Sequence, residues 1–366
     1  MCVKRPHHPD APKVPDNRSR QAGDRTPNRT ETDGPEKAKE GEGVHVSDNK
    51  YPSPDPGVYE GVSAREYHSW IGANKSGLWK LRTSPAHLRY ANTHTWPRTE
   101  AMKFGDAFDC AVFEPAEFDQ RFIMAKPCQA LIKSGKRKGE ECGLTGLGVL
   151  TTDEGEEWRC GKHGGSEDMM PAEQDALSYT DMWKIRRMRE CLKEHKLANE
   201  LLSGNGKDQL SIVWIDEETG IKCKARIDRL TAFGGFSCHV DLKTARSADP
   251  ASFMKDAAKL GYFEQAAHYR AGCEAIDKME GRPVRHRRFI FLVIEKETEC
   301  GDKFRIEVYE PTEDDIERAG VEIRRLMKIY ANCLETKVWP YRPTRVRPLT
   351  MPQWRVEEIE ALGGID

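Results

Sequence analysis

The stretch from Ile221 to Tyr269 holds two apolar segments joined by a Gly-Gly turn and then an amphipathic segment, and this order constrains the fold more than any other feature of the sequence. The first segment, Lys222 to Leu230, alternates in the way that is typical of a strand with one buried face. The turn before the second segment, Phe236 to Leu242, predicts a β-hairpin. Asp249-Pro250 is a good helix start, so the segment that follows predicts a helix.

Charged side chains converge on the ends of this predicted hairpin. Asp241 and Lys243 share one face of the second strand, roughly 7 Å apart, while Leu242 points into the core. The hairpin brings Asp228 beside Asp241. Two carboxylates this close repel each other unless a cation lies between them, and Mg²⁺ prefers oxygen ligands. The sequence therefore predicts a magnesium site here.

Two polar side chains of the predicted helix also share a face. Gln265 and Tyr269 are one turn apart, and both can hydrogen-bond a phosphate or an attacking water. Lys243 can orient or deprotonate that water and offset the charge of a phosphate. An isolated Asp-x-Lys is a common solvated charge pair, and Asp228 alone is equally well a turn residue. The combination predicts a metal-dependent nuclease core.

This order of motifs matches the PD-(D/E)xK nuclease superfamily, and the segments KCKARIDRL, VDLKTA and GYFEQAAHY resemble the RecE-like (exodeoxyribonuclease VIII-type) exonucleases of phages and prophages. The resemblance extends from about Tyr51 to Trp354, apart from a cysteine-containing insert. It implies an α/β fold like that of restriction endonucleases, with a mixed central sheet flanked by helices. It implies an exonuclease that depends on Mg²⁺ (or Mn²⁺) and degrades linear double-stranded DNA from its 5′ ends, in the 5′ to 3′ direction.

The same resemblance implies partners and a location. The 3′ single strands would pass to a RecT-like single-strand annealing protein, and the chain would form a homo-oligomer in the cytoplasm of a bacterial host that carries the phage or prophage. The motifs leave two alternatives open. One is a structure-selective endonuclease or nickase of the same superfamily, and the other is a DNA-binding protein with weakened catalysis.

Roles for individual residues follow from the resemblance. The metal ligands would be Asp228, Asp241, the backbone carbonyl of Leu242 and Asp109. Lys243 would position the attacking water, and Gln265 and Tyr269 would orient the scissile phosphate.

Two of these positions depart from the family pattern. Asp109, in Gly105-Asp-Ala-Phe-Asp109, stands where the family has a histidine ligand. Gln209 stands where the family commonly has a glutamate. Aspartate is a competent ligand for a hard cation, although Asp109 is also compatible with an exposed helix carboxylate. Glutamine is a weaker ligand than glutamate.

The insert, residues 127–165, contains four metal-ligand residues with little apolar material around them. They are Cys128, Cys142, Cys160 and His163, in the order C-x13-C-x17-C-x2-H. A long loop of this kind needs a staple, and three thiolates with an imidazole predict one structural Zn²⁺. Free thiols in a disordered loop and an iron–sulfur cluster are the alternatives.

Basic side chains predict the contacts to DNA. The formal net charge is only −2, so local patches must bind the phosphates. Arg285, Arg287 and Arg288 precede a predicted buried strand, where a plain solvated turn is the alternative. Arg345 belongs to an arginine-rich C-terminal segment that suits a DNA path or a subunit contact.

The composition divides the chain into four parts. Residues 1–50 are polar and proline-rich, which predicts a disordered arm and no secretory signal. Residues 51–126 form the N-terminal helical part of the nuclease domain, 127–165 the insert, and 166–366 the nuclease core and C-terminal segment. The eleven cysteines lack a disulfide-like framework and indicate a reducing cytoplasm, and no apolar run reaches membrane-spanning length.

Several further elements are predicted from the apolar pattern. Helices are expected over 99–113, over 173–202 as one long helix, and from Thr312 to about Thr336; strands are expected over 209–215, 289–294 and 304–309.

Overall fold

The computed structural model describes residues 53–94, 98–152, 155–165, 170, 174–298, 300–341, 346 and 348–363, all within one unit, Val46–Asp366. The predicted N-terminal arm and Arg345 lie outside the described residues.

The strands of the described part are β1 (Gly57–Tyr59), β2 (Phe122–Met124), β3 (Gly148–Thr152), β4 (Gly155–Arg159), β5 (Asp175–Leu177), β6 (Lys207–Ile215), β7 (Lys222–Phe233), β8 (Phe236–Ala245), β9 (Arg287–Glu295) and β10 (Ile306–Tyr309). Its α-helices are α1 (Ala64–Ser69), α2 (Lys75–Lys80), α3 (Pro85–Thr93), α4 (Glu100–Phe113), α5 (Pro115–Arg121), α6 (Tyr179–Glu194), α7 (Lys196–Ser203), α8 (Pro250–Leu260), α9 (Tyr262–Met279), α10 (Glu313–Thr336) and α11 (Gln353–Gly363). None of these helices has the length and hydropathy that a membrane span requires.

A six-stranded sheet in the order β1-β6-β7-β8-β9-β10 forms the centre. Only the β8–β9 pair is parallel within it, so the sheet is mixed and the predicted α/β class is confirmed. β9 is buried almost throughout, as expected for a strand covered on both faces. Its side chains alternate between two layers: Ile290 and Leu292 pack in the cluster that holds α4 and α6, while Phe289 and Phe291 pack against α8, α9 and α10.

β7 and β8 form the predicted hairpin. Gly234 and Gly235 have φ values of 60° and 83°, and Phe233 pairs with Phe236 across them. Two consecutive residues with positive φ are what a tight two-residue hairpin turn requires, and only glycine adopts them without strain. The turn therefore fixes the register of the two strands that carry Asp228 and Asp241.

Two predicted helical segments are each divided. The single helix expected over 173–202 is wrong: β5 occupies its start, and His195 separates α6 from α7. The ring nitrogen Nδ1 of His195 accepts a hydrogen bond of 3.2 Å from the amide of Ala198, so this residue caps the second helix. The segment after Pro250 is likewise two helices, α8 and α9, which meet at Gly261 with φ 72°.

The insert leaves and re-enters the fold at neighbouring points. β2 and β5 pair in parallel, and the amide of Ala125 donates to the carbonyl of Leu177 at 2.7 Å. Between them, β3 and β4 form a separate antiparallel hairpin.

Candidate active site

The central acidic side chains lie where β7 and β8 diverge. The hairpin ladder runs from Phe233↔Phe236 to Arg229↔Val240, so it ends one residue before Asp228 and Asp241. The backbone amide of Leu242 is turned to Asp228 instead and donates to its Oδ2 at 2.9 Å. The carboxylate of Asp228 on β7 thus bridges the gap between the two strands, because the backbone of β8 donates a hydrogen bond to it.

Asp241 is the most enclosed of the acidic groups, with its side chain 3% exposed. The side-chain amide of Gln265 on α9 donates to Oδ1 of Asp241 at 2.5 Å. Oδ2 is buried against the ammonium of Lys243, which forms an ion pair with it. Asp241 and Lys243 thus point to the same side of β8.

Asp109 reaches the site from α4. The side-chain amide nitrogen of Gln209 donates to Oδ2 of Asp109 at 2.7 Å, and Nε of Arg226 donates to Oε1 of Gln209 at 2.6 Å. Arg226 also donates to Glu114 at 3.1 Å. Gln209 therefore fixes the orientation of Asp109, and its own orientation is set by an arginine.

Burial and mutual repulsion govern the electrostatics of the acidic groups. Burial, followed by the charges of Asp241 and Asp109, raises the pKa of Asp228 well above its ordinary range. Burial, followed by the charges of Glu114 and Asp241, raises the pKa of Asp109 to about 7 against the opposing effect of Arg226. Each carboxylate thus destabilises its neighbours in the charged form. Such an oxygen-donor set fits a divalent cation of the Mg²⁺ type, which would relieve this repulsion.

Lys243 remains protonated in this setting. Burial alone would lower its pKa, but the carboxylates of Asp241 and Asp228 outweigh burial and raise it above the ordinary value. Its ammonium also lies 4.9 Å from the centre of the Tyr262 ring, a cation–π contact.

Tyr269 closes the same corner of the site. Its ring packs edge-on against Phe289, with centroids 6.1 Å apart. Burial, with nearby Tyr67 and Asp241, raises the pKa of Tyr269 well above its ordinary range, against a hydrogen bond from Gln265. The predicted Gln265–Tyr269 pair is thus brought to Asp241, and Gln265 binds the carboxylate directly.

Lys75 and Arg226 at this site were missed by the sequence analysis. Nζ of Lys75 donates to the carbonyl of Leu260 at 2.5 Å, and burial followed by the charge of Lys243 lowers the pKa of Lys75 to about 8. Arg226 lies two residues before Asp228 on the same face of β7, so the strand period was an available signal for it. Lys75 begins a helix remote in sequence, and no local pattern connected it with Asp241.

The arginines predicted to contact DNA take different positions. Arg287 is buried, and its guanidinium makes two hydrogen bonds, 2.7 and 2.9 Å, to Asp277. Arg288 is held by Glu310, with Nε at 2.6 Å from its carboxylate. Both guanidiniums are engaged in ion pairs within the chain, and their predicted contacts with phosphate stay predictions. Arg285 is exposed.

A second cluster lies in the insert. The ligand atoms of Cys128, Cys142, Cys160 and His163 lie within 4.8 Å of one another, and the three cysteines are buried. The fold therefore brings together a Cys/His group that could hold a metal. None of its four residues belongs to the acidic site.

Comparisons with known proteins give one family. The family model described as "PDDEXK-like domain of unknown function (DUF3799)" matches residues 75–347, about three quarters of the chain. No curated protein matches the chain by sequence.

Two solved structures match parts of the chain. The crystal structure described as "Putative exonuclease" from Eubacterium rectale has 16% identity and a TM-score of 0.44, covering 79% of this chain and 92% of that one. SSO0001 has 18% identity and a TM-score of 0.22, covering 40% of this chain and 58% of that one. Both TM-scores are below 0.5, and neither likeness bears on the activity of this chain.

Proposed function

Because the chain belongs to the family of the PDDEXK-like domain of unknown function (DUF3799), we propose that it is a metal-dependent deoxyribonuclease. The observation that carries the proposal is the convergence of Asp109, Asp228 and Asp241 with Lys243 at the point where β7 and β8 separate. A cluster of carboxylates that repel one another has no evident structural use without a cation.

The carboxylates of Asp109, Asp228 and Asp241, with the backbone carbonyl of Leu242, are the groups that would hold Mg²⁺ or Mn²⁺. Hard oxygen donors are the ligands these ions prefer. Such an ion, when bound, supplies Lewis-acid chemistry at the phosphodiester.

The chain's own residues supply positioning and charge. The ammonium of Lys243 would orient the attacking water and offset negative charge that develops on the phosphate. Gln265 holds Asp241 in place through its side-chain amide, and Tyr269 supports Gln265. Gln209 likewise orients Asp109 through a hydrogen bond from its side-chain amide. Two of the acidic groups are therefore oriented by neutral amides, which add no charge to the cluster.

The substrate and polarity are the finer part of the proposal. The segments VDLKTA and GYFEQAAHY support a RecE-like exonuclease that degrades linear double-stranded DNA from 5′ ends and leaves 3′ single strands. A RecT-like annealing protein would receive those strands in the cytoplasm of a bacterial host. A homo-oligomer around the DNA is part of the same proposal.

Digestion of 5′-labelled linear duplex DNA with Mg²⁺ or Mn²⁺ tests this. We expect degradation by the unmodified chain and loss of activity in Asp241→Ala and in Lys243→Ala. The matched control is Lys259→Ala, an exposed lysine of α8, which should retain activity. Activity that survives both site substitutions would place catalysis elsewhere in the chain.

A closed circular duplex distinguishes exonuclease from endonuclease. An enzyme that needs a DNA end leaves the circle intact, whereas an endonuclease or nickase of the same superfamily converts it to a linear or relaxed form. A folded chain that binds DNA and cleaves neither form with either ion would favour the DNA-binding alternative.

A further inference from the structure

The Cys/His cluster of the insert lies apart from the proposed nuclease chemistry. We propose that Cys128, Cys142, Cys160 and His163 form a closed tetrahedral zinc site that holds the insert in its fold. Three thiolates and one imidazole are a donor set that selects zinc over Mg²⁺, which requires oxygen. The inference stands independently of the proposed nuclease activity.

Three of the six distances between the ligand atoms match the edges of a tetrahedron around a single zinc ion, and all six are within 4.8 Å. With Zn–S bonds of about 2.3 Å and a Zn–N bond of about 2.05 Å, tetrahedral edges are about 3.8 Å between sulfurs and about 3.5 Å between sulfur and nitrogen. Sγ of Cys142 and Sγ of Cys160 are 3.8 Å apart. Nδ1 of His163 lies 3.5 Å from Sγ of Cys128 and 3.5 Å from Sγ of Cys160.

The same distances count against the alternatives. A disulfide requires sulfurs about 2.05 Å apart, so the Cys142–Cys160 separation of 3.8 Å is a non-bonded one. An iron–sulfur cluster places its cysteines on different irons around an inorganic core, which would spread the ligand atoms farther apart. Free thiols give no reason for four residues from three separate segments to converge on one point.

The backbone turns the ligands inward. The amide of Gly143 donates to the carbonyl of Cys128 at 3.1 Å, which places the first two cysteines side by side. After Cys160, the chain makes one 3-10 turn, and the amides of His163 and Gly165 both donate to the carbonyl of Cys160, at 2.8 and 2.9 Å. A Cβ on Gly165 would lie 1.9 Å from the carbonyl oxygen of Arg159, so this tight knuckle admits only glycine there.

The cluster is also a core for a segment that has little other core. Cys128, Cys142 and Cys160 are at most 9% exposed and form a cluster of their own with half-buried Ala130, separate from the cores around the central sheet. In contrast, Leu131 and Leu144 are exposed, and Trp158 is the one other large apolar side chain buried among the described residues of the insert. Since binding of structural zinc contributes directly to folding, the ion would replace the missing apolar core. Four protein ligands leave no open position, so the site is structural rather than catalytic.

The test is the metal content of the full chain, purified without added metal. We expect about one zinc per chain, retained after dialysis, and tetrahedral cobalt absorption bands with thiolate charge transfer when Co²⁺ replaces it. Iron with acid-labile sulfide, or less than about a tenth of an equivalent of zinc, would overturn the proposal.

Variants locate the site. Cys142→Ser and His163→Ala should each lower the zinc content at least severalfold, whereas Cys300→Ser, an exposed free cysteine, should retain it. Asp241→Ala should retain it too, which separates this site from the acidic one. Zinc that remains in both ligand variants would also reject the assignment. Because content and cobalt spectrum are measured without DNA, neither result depends on nuclease activity.

Discussion

The side-chain amide of Gln209 donates a hydrogen bond of 2.7 Å to the carboxylate of Asp109. At these two positions the resemblance to RecE-like exonucleases implies a histidine and, commonly, a glutamate. Relative to that pattern, the carboxylate comes from α4 instead of β6, and the neutral side chain comes from β6 instead of α4. Gln209 has φ 50°, a conformation that non-glycine residues rarely adopt and that is often associated with functional sites.

This pairing predicts strong coupling between the two residues. Gln209→Glu would place a second carboxylate against Asp109 and raise the pKa of Asp109 further. We therefore expect a higher half-saturating Mg²⁺ concentration and at least tenfold lower kcat/KM. The double variant Asp109→His with Gln209→Glu has the arrangement that the RecE-like resemblance implies and should recover a large part of the loss. A double-mutant cycle of kcat/KM against Mg²⁺ concentration measures the coupling, expected at about 1–3 kcal/mol.

Gln120→Glu, which adds a carboxylate on the exposed face of α5, is the matched control and should leave activity unchanged. Additive effects of the two site substitutions would show that the hydrogen bond does not couple Asp109 and Gln209.

Gln265 is expected to act by holding Asp241. Gln265→Ala removes the 2.5 Å hydrogen bond to Oδ1, so the half-saturating Mg²⁺ concentration should rise about 10–100-fold, the usual effect of losing a residue that orients a metal ligand. Tyr269→Phe keeps the ring against Phe289 and should have a smaller effect. A rise in KM for DNA at unchanged Mg²⁺ dependence would instead support the phosphate-orienting role that the sequence suggested.

The buried pair of Asp277 and Arg287 is expected to stabilise the fold. Asp277→Asn leaves the guanidinium of Arg287 buried without its counter-charge, which costs about 3–5 kcal/mol of unfolding free energy. Burial acts to raise the pKa of Asp277, but hydrogen bonds from Arg287 and the amide of Arg285 outweigh it and lower the pKa. A depressed carboxyl pKa gives stability that is present above the unfolded pKa and is lost as pH falls below it.

Urea unfolding from pH 7 to pH 3 measures this contribution. The difference between the unmodified chain and Asp277→Asn should shrink as the pH falls below about 4. Arg285→Ala, at an exposed position, is the control and should unfold at the same urea concentration as the unmodified chain. A constant difference across that range would contradict the assignment.

Residues near one another in sequence account for most of what could be predicted. The Gly-Gly turn and the alternation of β7 and β8 fix a register, and that register brings Asp228 to Asp241 with no further information. Arg287 could not be assigned in the same way. An arginine at a strand start suggests solvent, and its burial depends on Asp277, which lies on a different element.

The left-handed conformation of Gln209 was equally invisible in the sequence. The side chain of Gln209 binds Arg226 and Asp109, which come from two other elements, and nothing in the local sequence indicates a positive φ. His195, which divides the expected long helix, resembles any other polar helix residue in the sequence, because its cap is defined only by the backbone that it contacts.

His239 is expected to make the fold sensitive to acid. Both ring nitrogens are buried without a hydrogen-bond partner within the described residues, and burial, followed by the charge of Arg287, lowers the pKa of His239 to about 3. An unfolded chain binds this proton near pH 6.5, so stability should fall as pH drops from about 6.5 towards 3, by up to about 1.4 kcal/mol per pH unit.

His239→Phe removes the titrating group and keeps the ring beside Phe289, where the centroids are now 5.6 Å apart. Between pH 7.5 and pH 5, the urea midpoint of the variant should therefore decline less than that of the unmodified chain. His286→Phe, at an exposed position, serves as the control for loss of a histidine. An unchanged decline in His239→Phe would mean that other groups carry the acid sensitivity.

The basic turn of the insert is expected to contact DNA phosphates. The amides of Ile132 and Gly139 bond across this turn, to the carbonyls of Glu140 and Ile132, and the turn presents Lys133, Lys136 and Lys138 to solvent. Each lysine that neutralises a phosphate releases counterions, so replacing all three with glutamine should weaken duplex binding and reduce the slope of log K against log salt by up to about three. Fluorescence anisotropy with labelled duplexes of unrelated sequence at several salt concentrations measures both.

The double variant Lys255→Gln with Lys259→Gln removes exposed charge from α8 and is the control. Because the proposed zinc site would hold this turn in place, chelation of the metal should weaken binding in the same direction. An unchanged slope in the triple variant would remove the insert from the DNA interface.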